Sequence, residues 1–244
     1  MSDLDLLDLE ARTLFVLTSW DRIARENDPD RSAGPRFWLA GCAEGRVARL
    51  HHEVSDGVAA EIAASLTQEQ PFHEPGALPR FIDRYEALLR GAGLPLVRSL
   101  ELVHELPHGL DHARGAPLIA SGSAEGDRFI AEVERDGMPP HLVDLGVRGI
   151  ADLWAPWVLL LEAGEVAAMA FAARLGRDGA ELGLVTVPKF RGRGFAARVA
   201  AAWTHLPELR SRRLFYGADQ DNLASKRVIT KLGLRRIGVS LRLT

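Results

Sequence analysis

The stretch of this 244-residue chain with the most chemical content is ELGLVTVPKFRGRGFAARVAAAW, residues 181–203. An apolar, β-branched run closes at Pro188, and Arg191-Gly192-Arg193-Gly194-Phe195-Ala196 leads straight into a helical pattern. A helix that starts this way turns several unpaired backbone N–H groups toward one point, which makes an anion cradle. Gly192 and Gly194 let the main chain approach a diphosphate closely and take positive φ, while Arg191 and Arg193 add charge.

Other reactive side chains are less promising. His104-Glu105-Leu106-Pro107-His108 has the letters of a zinc-binding HExxH helix, which needs both imidazoles on one face. Pro107 would cost such a helix about 3 kcal/mol or more, and Gly109, ahead of His112, weakens it further, so no metal site is expected. His51 and His52 read as surface residues, and Cys42, in a strand-like run, as a small core residue rather than a nucleophile. One cysteine cannot form an internal disulfide, which points to a reducing, cytoplasmic setting. The tryptophans read as packing residues, since only Trp203 lies near the basic clusters, and there on an apolar helix face.

The elements that must position the cradle follow from periodicity. Trp157–Leu161, Val166–Ala173 and Ala180–Val187 read as strands of an antiparallel meander joined by Gly-containing turns. Phe195, Val199 and Trp203 recur at helical spacing until Pro207, and Leu214–Tyr216 is the next strand, parallel to Ala180–Val187 through a right-handed crossover. Asn222 is placed to cap a second helix with Ala224, Val228 and Leu232 on one face, Lys231 in its last turn and Gly233 to end it. Leu234–Leu243 reads as a final strand.

The N-terminal part is harder to read. An amphipathic start from Leu4 to Trp20 precedes a polar loop; a hairpin is expected within Arg36–His52, helices over Val58–Leu66 and Leu78–Leu89, and a strand over Leu94–Leu106. The Gly, Ser and Asp clustering near residues 109–127 suggests a soft boundary, dividing the chain into an α+β segment, 1–112, and a second domain, 113–244.

Charge is divided unevenly. From Val187 to Thr244 there are thirteen Lys and Arg against three acids, or +10, whereas the preceding residues hold 17 against 30, or −13. The basic tail is suited to an anion, and the acidic remainder would steer a cationic partner toward the molecule. The acidic N-terminus lacks the basic flank and apolar core of a secretory signal, and no apolar run nears the ~20 residues a bilayer requires, so no membrane association is expected.

Arg191, Gly194 and Ala196 fill, in order, the cofactor-binding pattern of the GCN5-related N-acetyltransferase (GNAT) family, which this region resembles. Asn222-Leu223-Ala224-Ser225, running on to Val228, Lys231, Leu232 and Gly233, is similar to the family's second signature helix, with Leu234 replacing the usual aromatic. The resemblance covers roughly Trp157–Thr244, and residues 1–110 match nothing recognisable. It implies an α/β (α+β) fold with a mixed, mostly antiparallel sheet, a splayed parallel strand pair and flanking helices, preceded here by the additional α+β segment.

The resemblance also implies acetyl-CoA as co-substrate, with the pantetheine paired to the main chain near Thr186 and Val187. The pyrophosphate would rest on Arg191, Gly192, Arg193, Gly194, Phe195 and Ala196, with further contacts from Asn222, Ser225 and Lys226. The acceptor would be a primary amine on a small molecule or peptide. Three tasks follow: taking a proton from the ammonium, holding the oxyanion and protonating the thiolate. Glu181 is the candidate base, and a free strand amide near Val187 the oxyanion donor. Many relatives carry a tyrosine seven residues after the asparagine, but Ile229 stands there, leaving Tyr216, Asp219 or water as the acid. That departure keeps open a non-catalytic acyl-CoA sensor with the same fold. A nucleic-acid module using the basic tail is the other alternative, weakened because no aromatics interleave with its charges. A homodimer is compatible with the sequence.

Overall fold

The computed structural model describes residues 1–90, 96–111, 115 and 117–244. The 112/113 junction and His112 lie outside the described residues. The chain opens with α1 (Asp3–Leu14), the hairpin β1 (Phe15–Leu17) and β2 (Ile23–Glu26), and a second hairpin, β3 (Phe37–Cys42) and β4 (Gly45–Leu50). Helices α2 (Asp56–Leu66) and α3 (Ile82–Leu89) and strand β5 (Arg98–Leu106) follow. Then come β6 (Leu118–Ala120), α4 (Ala124–Asp136), the short α5 (Pro140–Val143), and the meander β7 (Trp157–Glu162), β8 (Glu165–Leu175) and β9 (Gly179–Thr186). The chain ends with α6 (Phe195–Trp203), β10 (Arg213–Asp219), α7 (Leu223–Leu232) and β11 (Arg235–Leu243). The architecture is mixed α/β with mostly antiparallel strands and, as the sequence predicts, a parallel β9–β10 pair. No described helix is long and apolar enough to cross a membrane.

Two compact units form: one gathers Met1–Glu105, Gly217–Ser225 and Arg235–Thr244, the other Leu106–Tyr216 and Lys226–Leu234. In the first unit the order β4-β3-β11-β5 is antiparallel throughout. Phe37, Leu39, Leu102, Leu241 and Leu243 alternate onto one face, where they pack with Ile62 of α2 and with Tyr85 and Leu89 of α3. The sequence pattern places the start of α3 at Leu78, but the helix begins at Ile82. The chain before it is held by a distant carboxylate: buried Glu69 accepts the amides of Arg80 at 2.6 Å and Phe81 at 3.3 Å and the Tyr85 hydroxyl at 2.8 Å.

Burial and that carboxylate together push the Tyr85 phenol well above its ordinary range. Above about pH 10 the unfolded chain releases this proton while the folded chain keeps it, so stability falls as pH rises. We expect the urea midpoint of Tyr85→Phe to decline less between pH 9 and 11 than that of the unsubstituted chain. Parallel declines would show that Tyr85 does not set the alkaline limit.

In the second unit the order is β10-β9-β8-β7-β6. Helix α6 packs on β7, β8 and β9, burying Ala197, Val199, Ala200 and Trp203 against Val158, Ala168, Ala170 and Leu182. The opposite face carries Ile119, Trp157, Leu159 and Met169, which pack with Leu142 of α5, Val147 and Leu153. The Gly/Ser stretch at the end of the 109–127 cluster opens a helix. Ser123 Oγ accepts the Gly126 amide at 3.0 Å and caps α4, and a Cβ on Gly126 would lie 2.1 Å from the Ala120 carbonyl. Gly126 therefore marks close helix-to-strand packing rather than a flexible joint.

Candidate active site

Strand β9 is paired with β8 along most of its length, from Leu175 opposite Ala180 to Ala168 opposite Thr186. Its other edge meets β10 in parallel, and that ladder covers only Gly179–Glu181 against Arg213–Phe215. Among the described residues, no strand pairs with this edge from Leu182 to Thr186. The sheet is therefore open beside the second half of β9, and Gly183–Thr186 are half-buried although they lie on an interior strand.

Parity decides which main-chain groups face the opening. The Val187 amide donates to the Ala167 carbonyl at 3.0 Å and is committed to β8, so a free strand amide near Val187 has to come from a neighbouring residue. Antiparallel partners exchange bonds at every second residue, which turns the N–H and C=O of Leu184 and Thr186 toward the open edge. The Arg191 side chain reports the same direction, since its Nε donates to the Thr186 carbonyl at 3.4 Å.

The loop after β9 enters α6 through Gly194, whose φ of +78° is left-handed and which offers no side-chain cap. Gly192 is also left-handed, at φ +79°. Among the described residues, nothing accepts the amides of Gly192 through Ala197, because the first backbone bond of α6 runs from the Arg198 amide to the Gly194 carbonyl at 3.3 Å. A run of unpartnered donors that begins on an exposed loop and continues into the first turn of a helix, at its positive end, is chemically matched to a multiply charged anion. The residues thus fit the diphosphate of coenzyme A.

Carboxylates at the tip of the β7–β8 hairpin fasten this loop. Glu162 pairs with Arg193, whose guanidinium also lies 4.7 Å from the Phe195 ring centroid, and Glu165 pairs with Lys189. The Lys189 hydrogen bond holds the Glu165 carboxyl below its ordinary range. Arg193, expected to add charge to the cradle, is thus turned to the hairpin. Lys231, in the last turn of α7 and part of the signature helix quoted above, reaches the same loop: a Cβ on Gly194 would lie 2.5 Å from its ammonium.

The remaining sequence-derived residues are distributed as follows. Glu181, half-buried, stands opposite Arg174 on β8 and Phe215 on β10, at the last paired position before the opening. Tyr216 is the first β10 residue beyond that ladder and is buried in the core shared with α6 and α7. Ile229, where many relatives carry tyrosine, packs against the same core. Lys226 begins the α7 portion of the second unit, whereas Asp219, Asn222 and Ser225 belong to the first. Asn222 caps α7 as expected, with Oδ1 accepting the Ser225 amide at 3.0 Å. The Asp219 carboxylate accepts the Asp221 amide at 2.7 Å, as in a turn. His104 lies on β5 rather than on a helix, its Nδ1 3.2 Å from the Leu102 carbonyl, and His108 Nε2 is 2.8 Å from the Arg212 carbonyl. Among the described residues no three His, Cys, Asp or Glu side chains are grouped to hold a metal.

Residues 142–235 match the family model of the GNAT acetyltransferase domain. That stretch, similar to a GNAT acetyltransferase domain, contains the open parallel pair and the helix-start cradle. Similar solved structures include a GNAT-family protein from Novosphingobium aromaticivorans, at 18% identity and TM-score 0.45, covering 61% of this chain. This chain spans 65% of that protein, just under two thirds of it. A GNAT-family acetyltransferase from Colwellia psychrerythraea aligns over 99% of this chain and 95% of its own, at 13% identity and TM-score 0.45. A GCN5-related N-acetyltransferase-like protein from Streptococcus suis aligns over 86% and 85%, at 15% identity and TM-score 0.46. No curated protein matches the chain.

Proposed function

We propose that the second unit transfers an acetyl group from acetyl-CoA to a primary amine by direct attack of the neutral amine on the thioester. The observation that carries this reading is the unbroken run of unpartnered amides from Gly192 to Ala197, placed where β9 leaves an open edge. Those amides would hold the diphosphate, and the outward main-chain groups of Leu184 and Thr186 would pair with the pantetheine as an added strand does. Either outward amide, Thr186 being adjacent to Val187, can serve the developing oxyanion.

Glu181 is the carboxylate at the closed end of the opening and is assigned the proton of the ammonium. Tyr216, where β10 leaves the ladder, is assigned the thiolate. Asp219 is a weaker choice for that role because its carboxylate already closes a turn. The test is incubation with acetyl-CoA and a panel of primary amines, following free thiol. Amine-dependent thiol release supports transfer. A second reading, an acyl-CoA sensor without turnover, draws on the aliphatic Ile229 and on the core placement of Tyr216. It gives heat on mixing with coenzyme A and no thiol release with any amine. Absence of binding removes both readings.

A further inference from the structure

The two faces of the β7–β9 meander are covered unequally. On one, α6 lies across all three strands, and Ala180 and Leu182 of β9 are buried in the core it forms. On the other, Leu142 of α5, Val147 and Leu153 cover Trp157, Leu159 and Met169, but the cover thins at β9. Glu181, Gly183 and Val185, which alternate onto this second face, are all half-buried. They start at the last position paired with β10 and run along the edge it leaves open.

Phe171 of β8 reaches into that strip. It stands opposite Gly183, and a Cβ on Gly183 would lie 2.5 Å from both Cε2 and Cζ of its ring. The far end of the ring therefore rests over the main chain of β9, in the space a side chain would occupy. Gly183 is not among the glycines with positive φ, so the ring, rather than the backbone, requires glycine there. Glycine inside a strand weakens it and commonly marks a place that another group approaches closely. Phe171 is itself half-buried, so the ring brought to the open side of the sheet keeps part of its apolar surface accessible.

On the same face of β9, about 7 Å back along the strand, stands Glu181, to which the proton of the acceptor's ammonium is assigned above. A carboxylate and an aromatic ring at that spacing match the two ends of one kind of molecule. Hydrocarbon attached to the amine gains by leaving water for the ring. A hydroxyl or a second ammonium there would lose its water against Phe171 and Val185, side chains that return no hydrogen bond.

We propose that Phe171 is an acceptor-binding residue that sets specificity, its ring over Gly183 carrying the apolar body of the amine whose nitrogen is presented to Glu181. The acceptor class is then a primary amine on a hydrocarbon chain or ring, not a polyamine or an amino alcohol. This assignment rests on the acetyl-transfer reading above.

The test is steady-state transfer from acetyl-CoA by the full chain and by Phe171→Ala, with hexylamine, ethanolamine and putrescine as acceptors and free thiol as the signal. The parent is expected to favour hexylamine by about tenfold or more in kcat/KM. Phe171→Ala is expected to lose about tenfold with hexylamine, mainly through KM, and less than about twofold with the other two, with the KM for acetyl-CoA held. Phe171→Leu, which keeps more cover over Gly183, is expected to show the same amine-selective pattern with a loss of about threefold. A parent that does not prefer hexylamine overturns the assignment, as do variant losses equal for all three amines. A raised KM for acetyl-CoA, or failure of both variants to fold, would make the ring a filler over Gly183 and overturn it as well. If the parent releases thiol with no amine, the transfer reading fails and this assignment falls with it, whereas release without preference for hexylamine removes this assignment alone.

Discussion

Replacing Gly194 with valine is expected to lower coenzyme A affinity about a hundredfold while leaving the protein folded, as read by calorimetry and thermal unfolding. Two effects combine. At φ +78° a β-branched residue is strained by about 1–3 kcal/mol, and the chain relieves this by rotating the residues that aim the cradle amides. The new Cβ would also lie 2.5 Å from the Lys231 ammonium, which must move away. The ammonium is the free end of a flexible side chain, so its displacement is easy and the fold should survive. The damage falls on donors that bind only while they converge. Unchanged affinity in a folded Gly194→Val protein would mean that the α6 start does not contact the ligand, and the functional reading would lose its main support.

A second large effect concerns stability. Trp203 is fully buried at the end of α6, within the core of the second unit, and its indole N–H donates to the Pro156 carbonyl at 2.9 Å. Trp203→Ala removes the largest side chain that holds α6 to the sheet and leaves a buried carbonyl with one partner fewer. The expected loss is about 3–5 kcal/mol, a large share of the ~5–15 kcal/mol typical of a folded domain. Urea unfolding measures it directly. A loss below about 1 kcal/mol would show that the site collapses around the missing ring and that α6 is held chiefly by its alanines.

Much of this site could be read from local chemistry. Gly192 and Gly194 are needed where the chain turns left-handed, Asn222 where a helix must be capped, and Gly233 where it must stop; each is settled within a few residues, and each stands where the pattern puts it. The strands of the meander were equally plain from their apolar runs and intervening turns. The stretch near Ser123 is harder to read, because serine and glycine occur in loops, caps and close contacts alike. Only the 2.1 Å approach of the Ala120 carbonyl to a Cβ on Gly126 separates these meanings.

By itself the sequence determined that a glycine-rich turn follows a strand and opens a helix, because φ preference, capping and periodicity act over a few neighbouring residues. Tertiary structure decided which donors and charges are available. The Val187 amide is occupied because β9 pairs with β8 in a register that a shift of one residue would reverse, turning Leu184 and Thr186 inward instead. Arg193 is drawn off by Glu162, 31 residues earlier, and Lys231 arrives at Gly194 from another helix. Such pairings depend on where separate elements come to rest, and no local propensity encodes that.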